Sequence, residues 1–180
     1  ITEIAWMGTS DDANNEWIEL RNTENGAVDV TGWTVSDGGG LSVVLGGVIS
    51  ANDYVVLERT DDDTLPSITA FQIYTGALPN TGRTLTLHDT GGAVQDTVVG
   101  GTDWSSIGGN NDTKETPQRT TSGVWVTALP TPSGATVETA SAVSTPTPSG
   151  ASSQSVSVSS VSTQKSGGGG GSLKKLKPTY

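Results

Sequence analysis

The chain contains one histidine, no cysteine and nineteen acidic residues, and these limit the chemistry open to it. His88 is the residue a Ser–His–Asp relay would need, and Asp89 follows it directly. It stands, however, at the end of Thr84-Leu85-Thr86-Leu87-His88, a regular alternation that turns it outward, and no nucleophile-elbow motif lies beside it. A surface histidine is the simpler reading. Glu16 and Glu19 are the closest approach to paired carboxylates. Three apart on a strand, they point to opposite faces, which suits a surface salt bridge and a loop anchor better than an acid and a base. The absence of cysteine removes disulfides, thiolate metal sites and a thiol nucleophile together. No residue is assigned a catalytic or cofactor-binding role, and the chain is expected not to be an enzyme.

Oxygen-rich loops are the remaining chemical candidates. Asp61-Asp62-Asp63 leads them, because calcium takes carboxylate and carbonyl oxygens. Asp11-Asp12-Ala13-Asn14-Asn15 and Asn110-Asn111-Asp112 are weaker. None has the EF-hand spacing with its distal glutamate. Solvated loops in an acidic protein explain all three, and calcium at Asp61, Asp62 and Asp63 stands as the metal expectation. Among the five tryptophans, Trp17 shares a strand face with charged neighbours and is the candidate for an exposed aromatic contact with a protein or a sugar. Trp33 and Trp125 read as core. Leu78-Pro79-Asn80-Thr81-Gly82 has the form of a sortase anchoring signal, but it lies mid-sequence and leads into the Leu85/Leu87 run, so a loop is the better reading.

Short β-type runs position these residues. They fall near Thr2–Met7, Glu16–Arg21, Gly32–Ser36, Ser42–Leu45, Tyr54–Glu58, Ala70–Ile73, Thr84–His88, Ala93–Val99 and Val124–Thr127. Glu16-Trp17-Ile18-Glu19-Leu20 sets Ile18 and Leu20 opposite Trp17, and Tyr54-Val55-Val56-Leu57 is apolar on both faces, as in a central strand. Asp37-Gly38-Gly39-Gly40 and Thr90-Gly91-Gly92 read as hairpin connections, and Asn25-Gly26 as a left-handed turn. No window has a helical apolar period. Nine short strands at this spacing predict an all-β sandwich or barrel.

Composition divides the chain. Apolar residues, only 32% in all, concentrate before Ala135, so the core comes from the first three-quarters. That part holds five cations against eighteen acids, a net −13, whereas the remainder is +3. So acidic a domain repels phosphate backbones, which argues against nucleic acid as a partner. Residues 135–180 are rich in Ser, Thr, Pro and Gly and read as a disordered linker or tail with a short basic end, Leu173–Pro178. Pro-Thr-Pro-Ser-Gly occurs at 130–134 and again at 146–150 and reads as a low-complexity repeat. No run is long enough for a membrane helix. Ile1 already reads as strand, so the chain is expected to be a mature or trimmed product.

Several phrases carry a family resemblance: Glu16-Trp17-Ile18-Glu19-Leu20-Arg21-Asn22, Val28-Asp29-Val30-Thr31-Gly32-Trp33-Thr34-Val35, Ile49–Leu57 and Leu78–Asp89. Gly92, Val94, Asp96, Trp104, Arg119, Trp125 and Pro130-Thr131-Pro132 follow in order. In these the chain resembles the lamin tail domain over about residues 1–134, in the style of bacterial exported proteins. Ser105 departs from it where proline is common after the tryptophan, and no rod-like heptads precede the segment. The resemblance implies an immunoglobulin-like β-sandwich and a binding or scaffolding habit without enzyme activity. The functional expectation is a non-enzymatic binding module of an extracellular or cell-surface protein, its partner a protein or carbohydrate, with the tail as stalk or linker. The alternatives are a self-associating scaffold, using Thr2–Met7 as an edge strand, and an accessory targeting domain of a longer secreted hydrolase.

Overall fold

A computed structural model of the chain describes residues 1–134, so the expected disordered tail lies outside the described residues. Twelve short strands form three sheets. The largest has the order β12-β11-β1-β2-β7-β8, with β1 at Glu3–Ala5, β2 at Trp17–Arg21, β7 at Tyr54–Arg59, β8 at Gln72–Tyr74, β11 at Thr116–Arg119 and β12 at Trp125–Ala128. The second has the order β10-β9-β4-β5, with β4 at Thr34–Ser36, β5 at Ser42–Val44, β9 at Thr84–His88 and β10 at Val94–Val99. A two-stranded ribbon pairs β3 (Val28–Asp29) with β6 (Val48–Ile49). The one helical piece among the described residues is a short 3-10 turn, Thr102–Trp104. This is the all-β, immunoglobulin-like sandwich that the strand pattern and the resemblance imply.

Alternation sets which side chains meet. In the large sheet Ile4 opposes Ile18 and Ile18 opposes Leu57, a row of three residues with no exposed surface. In the smaller sheet Val35 opposes both Val43 and Leu87. These two inner rows belong to one apolar core, closed at one side by Trp104, whose indole stacks on Trp6 with centroids 6.1 Å apart. The central role read for Tyr54–Leu57 holds, since β7 lies between β2 and β8.

Three strands escaped the sequence reading. β3 and β6 are only two residues each, below what alternation can reveal. β11, Thr-Pro-Gln-Arg, looks like a polar breaker, yet it lies inside the sheet with Thr116 and Gln118 fully buried. Its ladder to β1 has a single register pair, Glu3 with Gln118, so proline, which lacks an N–H to give, is tolerated at Pro117. Asp37–Gly40 and Thr90–Gly92 do join hairpins, but neither Asn25 nor Gly26, between β2 and β3, takes the left-handed conformation read for that turn. Thr2–Met7 is not an edge either: β1 pairs with β2 on one side and β11 on the other, so it offers no free ladder to a second copy.

Candidate functional site

The outer face of the large sheet is buried rather than solvated. Its central row runs Gln118, Glu3, Glu19, Val56, and the next runs Ala5, Trp17, Glu58. Loops cover both. Trp17 is therefore 1% exposed, which removes it as a surface anchor and corrects the sequence reading. Its neighbours there include Thr9, Leu65 and Pro130. Trp33 and Trp125, read as core, are instead only half-buried.

Four glutamates are almost inaccessible: Glu3, Glu19 and Glu58 in these rows, and Glu16 just before β2. Each accepts main-chain N–H groups from a covering loop. Glu16 holds Leu78 N–H at 2.7 Å and Arg59 at 3.3 Å; Glu58 holds Leu65 N–H at 3.3 Å. Glu19 accepts from Ser133 N–H at 2.8 Å and the Thr2 hydroxyl at 2.7 Å. Glu3 accepts from Thr131 N–H at 3.0 Å, the Thr131 hydroxyl at 2.8 Å and the Thr116 hydroxyl. The surface role expected for one of Glu16 and Glu19 does not hold, since both are buried loop anchors. A carboxylate pair does face one place, but it is Glu3 with Glu19, direct cross-strand neighbours. Residue spacing cannot show it, because strand pairing brings the two together over fifteen residues of loop and strand. Burial raises the pKa of all four, and burial with the adjacent Glu3 pushes Glu19 up to about 7. Covered by Thr131 and Ser133, the pair does structural work and has no open face for a substrate.

Asp61, Asp62 and Asp89 behave differently, accepting N–H groups of their own loops. Asp61 Oδ1 accepts from Asp63 N–H at 3.2 Å and Asp62 Oδ1 from Ala70 N–H at 2.6 Å, so Asp61, Asp62 and Asp63 do not converge on a point. Among the described residues no group of three or more His, Cys, Asp or Glu side chains could hold a metal ion. Asp89 is taken up by the hairpin turn, accepting from Gly91 and Ala93 N–H at 2.9 Å each, and is not an orienting partner for His88. His88 lies outward between Thr34 and Val94. In Leu78-Pro79-Asn80-Thr81-Gly82, Leu78 is 1% exposed and Trp104 Nε1 donates to Pro79 O at 2.9 Å, while Asn80 and Thr81 are exposed.

A cleft of ≈ 470 Å³ lies where the β2 and β11 ends, the β3–β6 ribbon and the β9–β10 hairpin come together. Leu20, Val30, Trp33, Leu45, Ile49 and Leu87 give it an apolar wall. Arg21, Asn22, Asp96, Arg119 and Thr120 give it a polar rim. The rim is held in place from beneath. Asn22 Nδ2 donates to the carbonyls of Gly26, Ile49 and Ser50 at 2.8, 3.0 and 2.9 Å, and its Oδ1 accepts from Glu24 N–H at 2.9 Å. Arg119 bonds both oxygens of Asp96, at 2.9 and 3.0 Å, and lies over the Trp125 ring. Burial pushes the Asp96 carboxyl up, but the Ile1 amino group and Arg119 together outweigh it and hold it below the usual range. Arg21 lies over Tyr54 at 5.1 Å, and its buried Nε has no hydrogen-bond partner. Replacing Asn22 by Ala is expected to cost about 2–3 kcal/mol in urea unfolding, because several buried backbone groups lose their partner at once.

The fold is thus an immunoglobulin-like sandwich with an apolar-walled cleft. The family model described as Lamin Tail Domain matches residues 1–143, and the chain belongs to that family, whose domains are non-catalytic immunoglobulin-like modules of interaction type. No curated protein and no solved structure matches the chain. Among the described residues no helix is long and apolar enough to cross a membrane.

Proposed function

We propose that this chain is a non-enzymatic binding module of an exported or cell-surface protein, that its ligand enters the cleft, and that residues 135–180 serve as a stalk or linker. The cleft carries the reading: apolar walls with a few convergent polar groups are the usual form of a ligand site. The Ser/Thr/Pro-rich composition beyond residue 134 supports the stalk. The partner is a protein segment or a carbohydrate. A screen of short peptides and oligosaccharides against the isotopically labelled chain tests the site. Ligands are expected to shift amide resonances at Leu20, Asn22, Trp33 and Leu87. Ligands that shift only residues elsewhere would contradict the cleft. Fractionation of the source cells tests export, and recovery in the cytosol would sink that part.

One observation favours self-association as a second reading. On the outer face of the smaller sheet, Val44, Thr34, His88 and Val94 form one row and Ser42, Ser36, Thr86 and Thr97 another. Neither row contains an acidic or basic side chain apart from His88, in a domain of net charge −13. Two copies meeting there avoid much of the like-charge repulsion that opposes contact elsewhere. Sedimentation should then show dimers that survive a change in salt. A strict monomer at every concentration would exclude this reading.

A further inference from the structure

The segment 130–134, Pro-Thr-Pro-Ser-Gly, crosses the outer face of the large sheet as a strap, and its own main chain holds it there. Thr131 N–H and hydroxyl donate to Glu3, and Ser133 N–H donates to Glu19, joined by Gly134 N–H. Gln118 Nε2 donates to the Leu129 carbonyl at 2.6 Å. The Leu129 side chain itself is 71% exposed. Inside the strap, Gly134 N–H donates to Thr131 O at 3.0 Å, closing a turn with Pro132 second and Ser133 third at φ 58. Proline presets the second position of such a turn. Beneath it Glu3, Glu19 and Gln118 have no exposed surface and come from three different strands, so the sheet fixes their positions.

A seat of this kind reads a pattern: donors at the second, fourth and fifth positions, a hydroxyl at the second, and a proline-set turn. Pro-Thr-Pro-Ser-Gly meets it, and the same pentapeptide recurs at 146–150. Thr147, Ser149 and Gly150 supply the same donors in the same order. The preceding residue changes from Leu129, which is mostly exposed, to Thr145. The repeat thus carries the same pattern of donors in its sequence.

We propose that the Glu3–Glu19 seat is a recognition site for the pentapeptide Pro-Thr-Pro-Ser-Gly, and that segment 146–150 of a second copy of this chain is its alternative occupant. The resident strap, tethered beside the seat, holds an advantage set by its effective concentration, of millimolar order or more. Exchange therefore stays minor until the strap is weakened. Two copies that exchange reciprocally form a closed pair.

The full chain carrying Thr131→Pro and Ser133→Pro tests this. The prolines remove both N–H donors and the hydroxyl, and a proline at position 133 cannot adopt the left-handed turn conformation. Sedimentation is expected to show concentration-dependent dimers. Adding Thr147→Pro and Ser149→Pro should return the chain to monomer, as should a millimolar synthetic peptide Leu-Pro-Thr-Pro-Ser-Gly-Ala. A monomer at every concentration, or a dimer indifferent to positions 147 and 149, would overturn the proposal. If the prolines prevent folding, Thr131→Ala serves instead. It loses one charge-assisted hydrogen bond, which weakens the strap about tenfold. The same peptide should then shift the amide resonances of Glu3 and Glu19, and unchanged resonances would refute the site.

Discussion

Replacing Glu19 by Gln is expected to make the domain more stable above neutral pH and to remove much of its loss of stability between pH 5 and 8. Glu19 is fully buried beside Glu3, and burial with that neighbour raises its pKa to about 7 from 4.5. A folded-state value above the unfolded one means that the folded chain keeps a proton the unfolded chain has released. The contribution is fully present below about pH 4.5 and is lost as pH rises through 7. Its size over that span is on the order of 3 kcal/mol. Glu3, Glu16 and Glu58 shift in the same direction and steepen the decline. Asp96 opposes it. Its lowered pKa contributes stability above the unfolded carboxylate range that is lost in acid, so the optimum falls on the mildly acidic side of neutral. Glutamine nearly matches the shape of Glu19 and keeps an acceptor for Ser133 N–H. Urea unfolding at pH 5, 7 and 8.5 would show wild type and Glu19→Gln close together at pH 5 and separating in favour of Gln as pH rises. Parallel pH profiles would show that Glu19 is not the protonated group.

Gly82→Ala is expected to have the largest effect of any single methyl added to the fold. Gly82 adopts φ +83, a left-handed conformation that side chains rarely accept. A Cβ there would lie 1.8 Å from Gly101 O and 3.0 Å from Trp104 N. Both are backbone atoms, so no side chain can swing aside. The cost is about 3–5 kcal/mol from overpacking and left-handed strain together. That is a large part of the 5–15 kcal/mol (roughly) that holds a domain folded. Circular dichroism melts should show a much lower midpoint or no cooperative transition. A near-wild-type melt would mean that the Gly82–Gly101 contact is not made. The glycine also accounts for the sortase-like phrase: it is required by the approach of two backbones beneath Trp104, and no anchoring enzyme is needed to explain it.

Local pattern made most of this fold legible in the sequence. Thr84–His88, Glu16–Arg21 and Tyr54–Leu57 announce their faces through alternation, and the Gly-rich hairpins mark their own turns. The resemblance carried by Glu16–Asn22 and Leu78–Asp89 supplied the family. What stayed hidden depends on pairing across the chain. The Glu3–Glu19 pair exists only once β1 lies beside β2. Trp17 looked exposed because charged residues share its face, but those glutamates are themselves buried as anchors for the loops above them. Trp33 looked like core and instead lines the cleft, because the walls around it come from elements far apart in sequence. The role of Pro130–Gly134 was equally invisible, since its acceptors lie more than a hundred residues away.

The claim that the cleft is the working surface is tested most directly by site-specific photo-crosslinking in the native host. A benzoylphenylalanine replaces either Thr23 on the exposed cleft rim or Asp62 on a loop away from the cleft lining. If the cleft binds the partner, Thr23 captures one discrete product, Asn22→Ala weakens that capture, and Asp62 captures none. Equal capture at both positions, or capture at Asp62 alone, would contradict it.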